Sequence, residues 1–463
     1  MTTATVYTGG ASVVIIQNPT QPPPTPSGET IIVDGAQRFQ SMRGWDATTS
    51  GWEVNKTLNA YDPTWATTAP LVMARLVNEM GCNRVHLGIR SGWRNVADYW
   101  TQFVAGQINY TVLGSHWYEC RADGTPRVDE FDFRMQTMVV PMRDAMAARG
   151  EALYVALCLV DFGGPLPRTL FLANNPAEYA AFVKFYMDRA RDVFGVTTHA
   201  VDITLEPESA GAASGWQSGA NIGNAAAALR SLTAAEYPGL EIVAPSTANA
   251  SNCVTRMSEM EAQSPDGFAA VDTVAYHRYD GPNATQVAAI KTWAYARGKR
   301  TAMSEWYPAT IDTVIDDVLS GGVSHWQKWG MAGRLGGSVN NYYIVDPTAS
   351  PPAFTFAPNA AHMSLVFPFV RFGAERIGAT SSIGMKVMAF EHPNGKRIVH
   401  AKRTTGQPAA NVTITGLVPG ATYGVRRIAA ASTTLVDDPD RTANANGWIV
   451  LSLAPGYTTV YQR

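Results

Sequence analysis

Between about residues 29 and 346, short apolar runs alternate with longer stretches of helical periodicity, and this alternation constrains the fold more than any other feature of the chain. Strands that follow one another through a helix run parallel, and a parallel sheet is stable only when helices cover it. The apolar runs predict strands at 39–46, 84–90, 153–161, 201–206, 241–246, 271–279, 301–306 and 337–344. Helical patterns fill the gaps at 70–80, 131–149, 176–193, 222–236, 285–297 and 311–331. Eight strands with intervening helices predict an α/β fold, a (β/α)8 TIM barrel, whose active site lies at the C-terminal strand ends.

The pattern changes on either side of the barrel. Residues 1–28 are expected to form a tail or linker, proline-rich from residue 17 (Pro19, Pro22, Pro23, Pro24, Pro26). The barrel is assigned to 29–350. From 351 to 463, short β runs at 386–390, 398–402, 412–414, 423–428 and 448–453 are divided by turn signals such as Asn446-Gly447, which predicts a C-terminal antiparallel β-sandwich. The segment 91–130 is too long for an ordinary connection. It carries Trp93, Tyr99, Trp100, Tyr110, Trp117 and Tyr118, and is expected to wall the site.

Two glutamates end apolar runs about a hundred residues apart. Glu206 precedes Pro207, which has no N–H to donate and stops a ladder. Glu305 follows Met303-Ser304. Two carboxylates at strand mouths are what glycoside hydrolysis needs, one to protonate the leaving oxygen and one to attack or to activate water. Each alone is equally well read as a solvated strand cap.

Composition narrows the alternatives. The net charge is −2 with no Lys/Arg cluster, which argues against a nucleic-acid surface. No run of eighteen apolar residues occurs, so no membrane span is expected. The N-terminus has no signal-peptide pattern, since the apolar stretch 12–16 is too short; the chain is expected to be intracellular, or secreted if a signal has been removed. Cys82, Cys120, Cys158 and Cys253 match no zinc spacing. There is no G-x-S-x-G elbow, Walker loop, H-E-x-x-H helix or Rossmann fingerprint. The serine of 211–215 is out of register for a nucleophile elbow.

The order of motifs resembles the retaining glycoside hydrolases of the (β/α)8 clan with two catalytic glutamates (clan A), especially family 30 and its relatives in family 39. Gln37-Arg38-Phe39-Gln40-Ser41-Met42-Arg43-Gly44-Trp45-Asp46 resembles the opening strand. Gly81-Cys82-Asn83-Arg84-Val85-His86-Leu87-Gly88-Ile89-Arg90 resembles the second, which ends in a site arginine. His277-Arg278-Tyr279 and Ser304-Glu305-Trp306 resemble strands six and seven. The resemblance implies that Glu206 is the general acid/base, that Glu305 is the nucleophile, that 29–40 adds a strand to the sandwich, and that neither metal nor organic cofactor is needed. It departs at Leu205, where the family has an asparagine that binds the sugar 2-hydroxyl.

Further substrate contacts are expected from Arg90, His277 and Tyr279, the last two alternating onto one face of their strand. Trp45, Asp46, Asp161, Ser246 and Asn249 close other strands. Trp216 and Trp306 are candidate stacking platforms. The expected partner is an oligo- or polysaccharide or a simple glycoside; the oligomeric state stays open. The alternatives are a non-catalytic carbohydrate-binding barrel and a transglycosylase using the same two glutamates. A furanoside or a C2-modified sugar would suit Leu205.

Overall fold

In the computed structural model, residues 3–8 and 11–16 (backbone only), 28–163, 166, 168–209, 215–430 and 432–463 are described. Eight parallel strands close into a barrel: Gly44–Thr48, Arg84–Arg90, Tyr154–Val160, Ala200–Asp202, Glu241–Thr247, Thr273–His277, Arg300–Glu305 and Val323–Lys328. The eighth pairs with the first. Along each strand, alternate side chains serve two different surroundings. Val85, Leu87, Leu157, Val201, Ile242, Val274 and Met303 point outward and join the main apolar cluster with the helices. Tyr154, Ala156, Ala200, Val243, Ala275 and Ala302 form a separate cluster inside the barrel. These small inner side chains leave room for charged groups. Arg84 reaches Asp46 at 2.9 Å and Glu241 at 3.4 Å, and Glu241 also accepts from Tyr154 at 2.6 Å and Arg300 at 2.9 Å. Arg84, Tyr154, Glu241 and Arg300 each open a strand, so this network plugs the N-terminal end.

Two strand assignments change. The eighth strand is Val323–Lys328, inside the stretch 311–331 that helical periodicity predicts as one helix. The helix there is short, Ile311–Asp316, and runs through a π-helical turn to Gly322 at φ 60°. Every residue of the strand is buried, so it lacks the polar/apolar alternation that marks a half-exposed strand. His325, which reads as a helical or sandwich residue, therefore stands on a barrel strand. Of 337–344, only the end joins a small sheet, Tyr343–Asp346 between Ala332–Arg334 and Ala353–Phe356.

The predicted first strand is in fact two. Glu29–Ser41 pairs with Glu375–Ser381 and Ala410–Thr415 in a nine-stranded sheet, and the chain then turns into the barrel at Gly44. Gly44 has φ 132°, and a Cβ there would lie 2.9 Å from Arg84 Cβ, so only glycine fits. The sheet is antiparallel except where Glu29–Ser41 meets Ala410–Thr415. Residues from across it, including Ile31, Val387, Val425 and Leu451, fill one apolar cluster, so the sheet folds over as a sandwich. Strands Val436–Thr442 and Gly456–Gln462 belong to it although no run predicted them. Within the predicted tail, Thr3–Thr8 and Ala11–Ile16 pair as an antiparallel ribbon. The proline-rich 17–27 lies outside the described residues.

Candidate active site

Past Asp202 the fourth strand leaves the regular ladder but stays tied to its neighbours. Ile203 N–H donates to Val243 O at 3.0 Å, Leu205 N–H to Leu159 O at 2.9 Å and Glu206 N–H to Ser246 O at 2.9 Å. Glu206 is held at φ 47° and Ser246 at φ 49°. Such left-handed backbone in a non-glycine residue costs of order 1–3 kcal/mol and is typical of functional sites. Glu208, beyond Pro207, accepts from Asn249 N–H at 2.9 Å and Asn252 Nδ2 at 3.3 Å, and so fixes the loop after the fifth strand.

Glu206 and Glu305 come together over the barrel mouth. One oxygen of each carboxylate and one ring nitrogen of His277 lie within 4.8 Å of one another. His277, fully buried at the end of the sixth strand, meets Glu206 Oε1 through Nδ1 at 3.0 Å. Tyr279 donates its hydroxyl to Glu305 Oε1 at 2.7 Å. Burial raises the Glu305 pKa, and the Glu206 charge adds to this, against the opposing pull of His277 and Tyr279. Burial works against protonation of His277, yet the carboxylates of Glu305, Glu206 and Asp202 raise its pKa on balance. Burial and the Glu305 charge raise Tyr279 strongly, which keeps it a neutral donor.

Leu205, the residue before Glu206, lines a cavity of about 270 Å³ together with Arg90, Trp117, Tyr118, Cys158 and Trp329 among others. Trp117 and Tyr118 come from the insertion 91–130, as its length and aromatics predict. Arg90 stacks its guanidinium over Trp117 at 4.5 Å and stands 3.8 Å from Glu130, whose carboxylate Arg134 also holds at 3.0 Å. Leu205 packs with Tyr118, Cys158 and Val160 into an apolar wall.

The remaining candidates divide. Trp306 stands edge-on to Tyr279 at 5.3 Å. Ser246 is buried beneath Glu206 and gives its hydroxyl to Asp202 at 2.6 Å. Asn249 sits half-buried at the start of the helix Ala250–Gln263. Trp45 points outward, stacked on Phe367 at 4.2 Å, because the residue before an inward Asp46 must face the helices. Asp46 is spent on Arg84 inside the barrel, where burial raises its pKa to about 7. Asp161 accepts from Arg168 at 2.6 Å, Ser91 at 2.9 Å and Trp216 at 2.9 Å. Trp216 has no exposed surface. Trp45, Asp46, Asp161 and Trp216 are therefore packing residues in this structure, with no face toward the cavity.

Sequence reasoning passed over His86 and Asp202, which point into the barrel beneath the glutamates. Their period-two spacing, Arg84–His86–Gly88–Arg90 and Asp202–Thr204–Glu206, was the available signal. Burial, with the charges of Arg84 and His277, lowers His86 to about 3, and burial raises Asp202 to about 7.

No protein-family model and no curated protein matches the chain by sequence. Solved structures do match. A family 30 endoxylanase from Clostridium papyrosolvens aligns over 94% of this chain and 99% of its own at 16% identity, TM-score 0.64. A family 30 xylanase C catalytic domain from Talaromyces cellulolyticus aligns over 94% and 99% at 13% identity, TM-score 0.67. An endo-β-1,6-glucanase aligns over 94% and 93% at 14% identity, TM-score 0.63.

The fold is that of the family 30 glycoside hydrolases. Barrel and sandwich together are covered, so the similarity extends over the whole two-part architecture. Among the described residues no helix is long and apolar enough to cross a membrane.

Proposed function

We propose that the protein is a retaining glycoside hydrolase in which Glu305 attacks the anomeric carbon and Glu206 is the general acid/base. One observation carries this reading: carboxylate oxygens of Glu206 and Glu305 lie within 4.8 Å of each other at the mouths of the fourth and seventh strands. Retaining enzymes hold their carboxyl groups about 5–5.5 Å apart, whereas inverting ones need about 6.5–9.5 Å to admit a water between them.

In the first step Glu206 gives its proton to the glycosidic oxygen as Glu305 bonds to the anomeric carbon and the aglycone departs. In the second, Glu206 takes a proton from water, which attacks the same carbon and releases Glu305. Tyr279 steadies the ionised Glu305 through its hydroxyl. His277 Nδ1, 3.0 Å from Glu206 Oε1, holds that carboxyl in place, and the proton Glu206 takes from water in the second step restores the acid for the next cycle. Arg90 and Trp117 offer a cationic, flat surface to a sugar in the cavity, which Trp329 also lines. Leu205 gives the ring an apolar neighbour, which suits a furanoside or a sugar modified at C2.

The test is release of nitrophenol from aryl glycosides spanning gluco, galacto, xylo, fuco, 2-acetamido and furanosyl donors, with Glu305→Gln alongside. Turnover with retained anomeric configuration, lost in Glu305→Gln, is the expected result. Inverted product, or equal turnover by the variant, overturns the assignment. If aryl donors and longer glycans bind but none is turned over, the reading becomes that of a binding barrel.

A further inference from the structure

Directly under the catalytic pair, three adjacent strands each send one polar side chain to a common point. His86 comes from the second strand, Cys158 from the third and Asp202 from the fourth. Cys158 is in register with Asp202 on one side and with Gly88 on the other. Gly88 has no side chain, so His86, two residues earlier, reaches into the same space. One ligand atom from each residue lies within 4.8 Å of the other two.

These groups converge without satisfying one another. His86 Nε2 is 3.8 Å from Asp202 Oδ2, too long for a hydrogen bond. Among the described residues, His86 Nε2 and Asp202 Oδ1 are both buried with no hydrogen-bond partner. The Cys158 sulfur has, among the described residues, only a 3.6 Å contact to the carbonyl of its neighbour, Leu159. Buried polar groups are nearly always paired, and an unpaired one costs of order 1–3 kcal/mol. Two on facing residues, beside a buried thiol, mark a position where something else makes the bonds.

We infer that His86, Cys158 and Asp202 form a site for one divalent transition-metal ion of the zinc class. Imidazole nitrogen, thiolate sulfur and carboxylate oxygen are the donor set such ions take, with bonds of about 2.0–2.3 Å. Two ligands of a tetrahedral ion then stand about 3.3–3.6 Å apart; His86 Nε2 is 3.8 Å from Asp202 Oδ2, and one ligand atom of each residue lies within 4.8 Å of the other two, so the side chains draw together on binding. A dication with one thiolate and one carboxylate is neutral overall, which removes the penalty of burying either anion alone. Binding displaces the Cys158 thiol proton to solvent. Ser246 donates to Asp202 Oδ2 at 2.6 Å and leaves Oδ1 for the ion, an outer-shell bond of the kind that orients metal ligands.

Three protein ligands leave a fourth position open. His86, Cys158 and Leu205 all line the 270 Å³ cavity, so the open position faces it. A water or a substrate hydroxyl would complete the shell on the side where Leu205 offers no hydrogen bond. The cluster Glu206–His277–Glu305 is as closely spaced. There His277 Nδ1 meets Glu206 and Tyr279 donates to Glu305 Oε1, while His277 Nε2 and Glu305 Oε2 have no partner among the described residues. The proposed reaction already assigns the two carboxylates.

The test uses the full chain, stripped with chelator, reloaded with cobalt(II) as a zinc surrogate and freed of excess ion by gel filtration. About one cobalt per chain is expected, with the near-ultraviolet charge-transfer absorption that only a thiolate ligand gives, and zinc displacing it. Cys158→Ser should lose that absorption and weaken zinc at least ~100-fold; Ser246→Ala should weaken it ~10-fold. Cys253→Ala, a buried thiol elsewhere, should keep both signals. Wild-type chain that retains no cobalt, or an undiminished thiolate band in Cys158→Ser, overturns the site. Because the readout is bound metal and not turnover, its failure is distinct from a failure of the glycosidase reading.

Discussion

Tyr279 places its hydroxyl 2.7 Å from Glu305 Oε1, and it does so from the residue two past His277, which holds Glu206. A single turn of chain after the sixth strand thus serves both carboxylates. The first prediction follows from that bond. A hydrogen bond to a charged group is worth about 1.5–3 kcal/mol, so Tyr279→Phe should lower kcat/KM by ~10–100-fold while the fold persists. Steady-state kinetics on the best aryl donor checks it; an unchanged rate would remove Tyr279 from the site.

Glu206→Gln takes away the proposed proton donor but keeps the shape. General acid–base assistance contributes about 10²–10⁴-fold, and the loss should fall on glycosides with poor leaving groups. Donors with an activated aryl group should be affected far less in the first step. A plot of log rate against leaving-group pKa should therefore steepen in the variant; parallel lines would exclude Glu206 as the acid.

Stability should depend on pH through Glu305. Burial and the Glu206 charge raise its pKa above the usual 4.5, so the folded state holds this proton more tightly than the unfolded chain. Its stabilising contribution is fully present below the unfolded pKa and is lost as pH rises through the raised folded value. Glu305→Gln escapes that loss. Urea denaturation should show little difference between the two proteins near pH 4 and a gain for the variant at pH 8. The gain should amount to about 1.4 kcal/mol for every tenfold by which folding tightens the hold on this proton. A gain that shrinks with pH would contradict the burial argument.

Arg84 holds the plug at the other end of the barrel. Removing one partner from a buried ion pair costs about 3–5 kcal/mol, and Arg84→Met leaves Asp46 without its cation at 2.9 Å. Glu241 keeps Arg43 and Arg300, so the loss should sit at the lower end of that range. Chemical denaturation measures it directly. A loss below about 1 kcal/mol would mean that the plug is not structural.

The alternation of apolar runs and helical periods determined the barrel, because parallel strands buried on both faces leave that signature in any chain that forms them. It also marked Glu206 and Glu305, since Pro207 ends one ladder and the other run simply stops. The eighth strand was not legible: Val323–Lys328 is buried throughout, and without an exposed face its sequence carries no period to distinguish it from the helix before it. Trp45, Asp46 and Asp161 read as site residues because each closes a strand, and Trp216 because it could stack on a sugar, yet which way a side chain points and what it meets depend on register and packing. Only the tertiary structure decided that. The same closure of the barrel brought His86, Cys158 and Asp202, far apart in the chain, to neighbouring positions on three strands, a proximity that no local spacing could encode.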